Sequence, residues 1–189
     1  MVLMLRGLNK FVTALPVVLI LLLPQPARAV DEAEVDRLFE QLARPEQPGW
    51  RQIEDSILLE WSKSGSPAMD LLYQRGQEAM ADGNMMAAID HFSALTDHAP
   101  GFAEGWNGRA TAFFHAGELG MSVADIERTL ALNPRHFGAM SGLAVIFEEL
   151  GYEPEALEVY RAILAIHPHR PEVLEAIDRL QKTVEGEAL

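Results

Sequence analysis

The 189-residue chain carries 28 Asp and Glu against 15 Lys and Arg, a net charge of −13, and contains no cysteine. The missing cysteines exclude disulfides, thiolate metal sites and thiol nucleophiles together, so stability must come from packing. The acidic balance offers no patch to neutralise phosphates, which argues against nucleic acid and anionic lipid as partners and in favour of solubility.

The first element in chain order is a targeting segment over residues 1–29. Arg6 and Lys10 make a basic start, an apolar run follows from Phe11 to Leu23, and Pro24 breaks it. Ala27-Arg28-Ala29 then supplies the small-x-small pattern of a secretory cleavage site, which places the cut after Ala29 and export to a periplasm. The apolar run holds 13 residues, short of the ~20 that a membrane-spanning helix needs. An uncleaved anchor is the alternative, and contact with membrane is otherwise confined to the transient signal. The absence of cysteine rules out a lipoprotein anchor. Removal of 29 residues leaves 160, enough for one domain with a core, and takes the charge from −13 to −16 by removing Arg6, Lys10 and Arg28.

Residues 30–66 read as two helices around a loop. Val35, Leu38, Phe39 and Leu42 fall on one face of the first, and Ile53, Ile57, Leu58 and Trp61 on one face of the second. Pro45-Glu46-Gln47-Pro48-Gly49 separates them, and Ser64-Gly65-Ser66-Pro67 closes the unit. Beyond it a fixed register sets in. Gly83, Gly117 and Gly151 lie 34 residues apart, as do Pro100, Pro134 and Pro168, each 17 beyond its glycine. Glycine at mid-unit permits a tight turn between two helices, and proline bars its predecessor from helical geometry. Gly49 sits 34 before Gly83, so the first pair is expected to be a degenerate fourth repeat or a cap. Pro171 opens a last helix whose outer face carries Glu172, Glu175, Asp178 and Lys182, a polar outside of the kind a solenoid end requires. Val173, Leu174, Ile177 and Leu180 are expected to face inward.

With Trp106, Ala110, Phe113 and Pro134, with Gly76, Ala88, Phe92 and Pro100, and with Leu143, Ala144, Ala156, Tyr160 and Pro168 in register, the chain resembles the tetratricopeptide-repeat (TPR) family. Arg75 and Arg109 stand where that pattern has leucine, and Leu95, Thr129 and Ile163 where it has a small residue. Ser122, in place of alanine, weakens the pattern in the second helix of the middle repeat. The resemblance implies an all-α fold, a right-handed superhelical solenoid of antiparallel helix pairs. Its repeats would run over residues 69–102, 103–136 and 137–170, with an irregular helical cap before them and a capping helix and tail at 171–189. Small residues at Gly76, Ala110 and Ala144 would admit the partner helix, and Phe92, Ile126 and Tyr160 would fill the space between repeats. The overall plan resembles short exported TPR proteins of Gram-negative bacteria.

By the geometry of that family, the first helix of each repeat lines a concave groove, here Tyr73, Gln77, Asn107, Thr111, Phe114, His115, Ser141 and Val145. Its neutral mixture of rings, amides and hydroxyls suits a protein or peptide segment, although Tyr73 and Phe114 are equally consistent with packing between repeats. Family members that hold acidic chaperone tails use lysines and arginines where this chain has Tyr73, Gln77, Gly108, Gly138 and Gly142, so that ligand class is not expected. His167-Pro168-His169 lacks helical i, i+4 ligand spacing, Met80, Met85 and Met86 read as gap-filling core, and Glu148-Glu149 and Asp97-His98 lack a third catalytic partner. Trp50 and Trp61 read as core of the cap. The expectation is a non-catalytic scaffold without cofactor or metal, with a small-ligand carrier or sensor as the alternative and a hydrolase as the less favoured one.

Overall fold

The computed structural model describes residues 29–187, and the expected targeting segment lies outside the described residues except for Ala29. Nine helices form among them: α1 (Glu32–Leu42), α2 (Trp50–Trp61), α3 (Pro67–Ala81), α4 (Met85–His98), α5 (Ala103–His115), α6 (Leu119–Leu132), α7 (Phe137–Glu149), α8 (Glu153–Ile166) and α9 (Pro171–Glu187). The pairs α3/α4, α5/α6 and α7/α8 pack within themselves and on their successors, and α9 packs on α8.

The 34-residue register is written in the backbone. Gly83, Gly117 and Gly151 adopt φ of 75°, 82° and 75°, the left-handed region that glycine enters without steric cost. Each completes a helix-ending turn with two crossed bonds. In the first, the Gly83 amide donates to the Met80 carbonyl at 3.0 Å and the Asn84 amide to Ala79 at 2.8 Å. At the other end of each unit, Ala99, Asn133 and His167 leave helical geometry directly before the three prolines, as the clash with the proline ring demands.

Ser122 does not weaken the middle repeat. Its hydroxyl donates to the Ala110 carbonyl at 2.8 Å, which satisfies a group that is 1% exposed and ties α6 to α5. Arg109, where leucine is usual, donates from Nε and Nη2 to the two Asp125 oxygens at 2.7 and 2.9 Å. It also reaches Ser93 on α4 at 3.2 Å. The fork-on-carboxylate geometry makes it a polar clamp across three helices.

Successive repeats meet through one large residue and two small ones. Phe92, buried, lies between Gly76 and Gly108, where an added Cβ would come within 2.5 and 2.6 Å of its ring. One repeat later Ile126 lies between Ala110 and Gly142, and there a Cβ on Gly142 would meet nothing nearer than the Ile126 Cδ1 at 3.5 Å. Tyr160 takes the same register position in the third repeat, opposite Ala144 and Ala176. The second junction is the looser one, with α6 and α7 touching less than α4 and α5.

The helix pair α1/α2 does not stack on α3. Its buried residues Val35, Leu38, Phe39, Leu42, Ile57 and Trp61 share one core with Phe137, Tyr160, Ile163 and Val173 from the far end of the chain. The core of the first repeat contains none of them. The reason lies on α3. Gly105, Gly108 and Ala112 admit the preceding repeat, but 34 residues earlier stand Leu71, Gln74 and Glu78, all exposed. Gln74 donates to Glu78 at 2.8 Å. That face is closed to a neighbour and needs no cap, so the pair finds burial along the row of loops that end the repeats. Trp61 and Val30 border a cavity against Gly101 and Phe102, Trp61 stacks on His136 at 4.8 Å, and Trp50 meets His167 edge-on at 5.4 Å. The pair is a strap across the second and third loops, with the cavity between it and the first.

At the other end Val173, Ala176 and Leu180 are buried in α9, with Glu172, Glu175, Asp178 and Lys182 outside. Leu174, expected inside, is 49% exposed, and Ala176 takes the inner position. Met86 is likewise not core: it is 70% exposed.

Candidate groove along the first helices

The face formed by α3, α5 and α7 carries three depressions, and α9 supplies a fourth wall. Between the first two repeats, Gln77 and Met80 of α3 face Thr111 and His115 of α5. Between the second and third, Asn107, Thr111 and Phe114 of α5 face Gly138, Gly142 and Ile146 of α7. Between the third repeat and α9, Ser141, Val145 and Glu148 face Arg170, Glu175 and Arg179. Thr111 belongs to both of the first two depressions, so they share a wall.

Seven of the eight expected groove residues therefore line this face. Tyr73 does not. Its ring packs on Phe102 at 5.7 Å and Phe92 at 6.1 Å, and its hydroxyl donates to Glu104 at 3.3 Å. Burial pushes that hydroxyl well above the ordinary tyrosine range, and the adjacent Glu104 carboxylate adds to the effect. Tyr73 is a residue of the junction between repeats. Phe114 lines the groove and makes an edge contact with His115 at 5.5 Å.

The middle depression deepens into a notch of about 80 Å³. Its origin is the exchange of Phe92 for Ile126 in one register position while a glycine is kept opposite, so the smaller side chain leaves space that no backbone atom fills. Helix interiors disfavour glycine relative to alanine by roughly 0.5–1 kcal/mol. At Gly108 the Phe92 ring explains the glycine. At Gly142 no neighbour does.

The α9 end is charged but internally paired. Glu148 accepts from the Tyr160 hydroxyl at 2.8 Å and from Arg179 at 2.5 Å. Arg179 holds the Glu148 carboxyl below its usual range; burial opposes this in part, and the Tyr160 bond assists. Arg170 donates to Glu172 at 2.6 Å. Among the charged groups lining the groove, Glu175 has no ion pair among the described residues. Sequence reasoning missed this wall because α9 was read as an end. The signal was present, since Glu175 and Arg179 stand 34 after Ser141 and Val145.

The histidines set aside as metal ligands are instead locked under the strap. His136 accepts the Ala139 amide at Nδ1 (3.0 Å) and caps α7. The other ring nitrogen then carries the proton and donates to Glu104 at 2.7 Å. His167 donates from Nε2 to Glu54 at 3.1 Å and His169 to the Arg44 carbonyl at 2.9 Å. Burial by itself would raise the Glu54 carboxyl, yet the His167 bond and the charges of Arg170, His167 and Arg51 together hold it below its usual range. The carboxylate–histidine pairs thus fasten α2 and the junctions; neither places a nucleophile beside a base.

The Tetratricopeptide repeat family matches residues 73–120 and 122–171. A TPR repeat-containing protein of Rhizobium etli is 35% identical over 161 residues, which is 85% of this chain and 79% of the relative. Among solved structures, the first TPR of Spaghetti (RPAP3), bound to the HSP90 peptide SRMEEVD, superposes with a TM-score of 0.59 at 21% identity, over 62% of this chain and 95% of that one. The crystal structure of MamA gives 0.59 at 18% identity, over 76% and 87%. A family match over the three repeats and a relative alike across most of both chains agree with the backbone register and the stacked helix pairs: the chain belongs to the tetratricopeptide-repeat family.

Proposed function

We propose that the chain is a protein-binding scaffold that holds a segment of another protein in the groove along α3, α5, α7 and α9, and that it is not a catalyst. The observation that carries this reading is the row of three depressions, the first two sharing Thr111, lined by Gln77, Asn107, Thr111, Phe114, His115, Ser141 and Val145. Their rings and amides are free to meet apolar side chains and backbone groups of a ligand. The Spaghetti domain and the second TPR domain of RPAP3 are fold neighbours solved with HSP90 and HSP70 peptides, which supports peptides as the ligand class. The acidic sequences of those peptides do not transfer, because the lining from α3 to α7 carries no lysine or arginine. The test is a photocrosslinker placed at His115 in the groove or at Met86 on the opposite helix, in cells of the host. Discrete adducts from position 115 alone are expected; equal adducts from both positions, or none from either, overturn the proposal.

We further propose export to the periplasm with cleavage after Ala29, on the strength of the basic start, apolar run and Ala27-Arg28-Ala29 pattern. N-terminal sequencing of the chain from a periplasmic extract should begin at Val30. Recovery in the cytosol with Met1 retained sinks the idea.

A further inference from the structure

We propose that the notch at the second junction seats one branched aliphatic side chain of the bound segment, and that this segment carries a lysine or arginine beside it, placed against Glu175. The proposal rests on the groove reading above and names the chemistry of its ligand.

Size and lining select the anchor. Phe114, Ile126 and Ile146 wall a space of about 80 Å³, so an apolar side chain gains by leaving water there. An apolar cavity of roughly 150 Å³ accepts benzene; this one suits an aliphatic group and is small for an aromatic ring. Gly142 keeps it open. A Cβ at that position would make only an ordinary contact with Ile126 at 3.5 Å, so packing gives no reason for the glycine, whereas an unfilled seat does. At the rim, the side-chain amide of Asn107 makes no hydrogen bond among the described residues and is available to the backbone of the segment.

Charge selects the neighbour. The lining from Gln77 to Ile146 is neutral, and at the α9 end Arg179 is committed to Glu148 and Arg170 to Glu172. Glu175 remains. It stands on the helix facing Ser141 and Val145, which lie one residue before and three after Gly142 on α7. A net charge of −13 adds long-range attraction for a basic partner and repels an acidic one.

The test is selection of a displayed random dodecapeptide library on the whole chain from Val30, followed by fluorescence polarisation with an enriched synthetic peptide. Leu, Ile, Val or Met within four positions of Lys or Arg should be enriched. Replacing that aliphatic residue by alanine, or filling the seat with Gly142→Leu, should each weaken binding by roughly tenfold or more. Glu175→Gln should weaken it about two- to fivefold and flatten its salt dependence. Gly142→Ala, which narrows the seat while favouring the helix, should weaken binding without lowering the unfolding midpoint. Enrichment of acidic or aromatic peptides, or affinity indifferent to Gly142→Leu, overturns the proposal; if Thr111→Arg abolishes that binding, the groove reading survives. Absence of enrichment, or binding indifferent to both variants, overturns the groove reading as well. A small molecule found on the purified chain by native mass spectrometry and lost in Gly142→Leu overturns the peptide anchor in favour of a carrier.

Discussion

Phe92 and Ile126 occupy the same position one repeat apart, and the junctions they make behave differently. At the first, the ring presses so closely on Gly76 and Gly108 that neither glycine can gain a methyl group without displacing it. At the second, an aliphatic side chain faces a glycine that has room to spare, and the space opens onto the groove. The first junction spends its glycines on packing. The second keeps one at a cost to the helix and leaves a seat. Identical residues in identical register thus have different meanings, and the difference is visible only when the atom opposite is known.

Mutations test this contrast in descending order of effect. Phe92→Ala should destabilise the chain by about 3–5 kcal/mol, because a fully buried ring is lost between two glycines that cannot close the gap; chemical denaturation reads it. Gly108→Ala should cost roughly 1–3 kcal/mol through overpacking against Phe92. An unchanged denaturation midpoint there would mean the ring has somewhere else to go. Ser122→Ala should cost on the order of 1 kcal/mol, since the Ala110 carbonyl loses a buried donor. Gly142→Ala should reverse the sign and stabilise by roughly 0.5–1 kcal/mol. A loss of stability in this last variant would erase the distinction between the two junctions.

The third junction adds a charged component that the first two share less plainly. Glu148, with its carboxyl held below 4.5 by Arg179 and Tyr160, contributes stability that is fully present above the unfolded carboxyl range and is lost as pH falls through its lower folded value. Glu148→Gln should therefore give a shallower loss of stability below about pH 4.5 than the parent chain, a small effect best read from thermal midpoints across a pH series. A parallel pair of curves would show that the carboxylate is not linked to folding.

Much of the fold was legible in the chain because its signals are local. Gly83, Gly117 and Gly151 mark turns by a conformation that depends only on their own backbone, and Pro100, Pro134 and Pro168 act on the residue directly before them. The seven residues that line the depressions come from the geometry of the family that the chain resembles. Tyr73 stays open between groove and junction in the sequence, because the part-buried bond from its hydroxyl to Glu104, 31 residues away, is not a local signal. The strap was misplaced for the same reason on a larger scale: Arg135 reaches Asp36 across 99 positions and His167 reaches Glu54 across 113. Spacing places Gly49 in register with Gly83, but it is the bulk of Leu71, Gln74 and Glu78, where the later repeats have Gly105, Gly108 and Ala112, that decides whether a neighbour can dock there. The notch was hidden because it is a difference of volumes between Ile126 and Phe92.

A stack of repeats that touch only their neighbours can breathe like a spring, each unit opening with little regard for those beyond it. The strap removes that freedom. By joining the loop after the second repeat to the loop after the third, α1 and α2 tie two neighbouring units into one body. Its pitch, and with it the width of the groove, is set by a brace that sits outside the groove. Fraying of α1 and α2 then reaches the loops they hold, and hydrogen exchange should find the second and third repeats opening together with the strap.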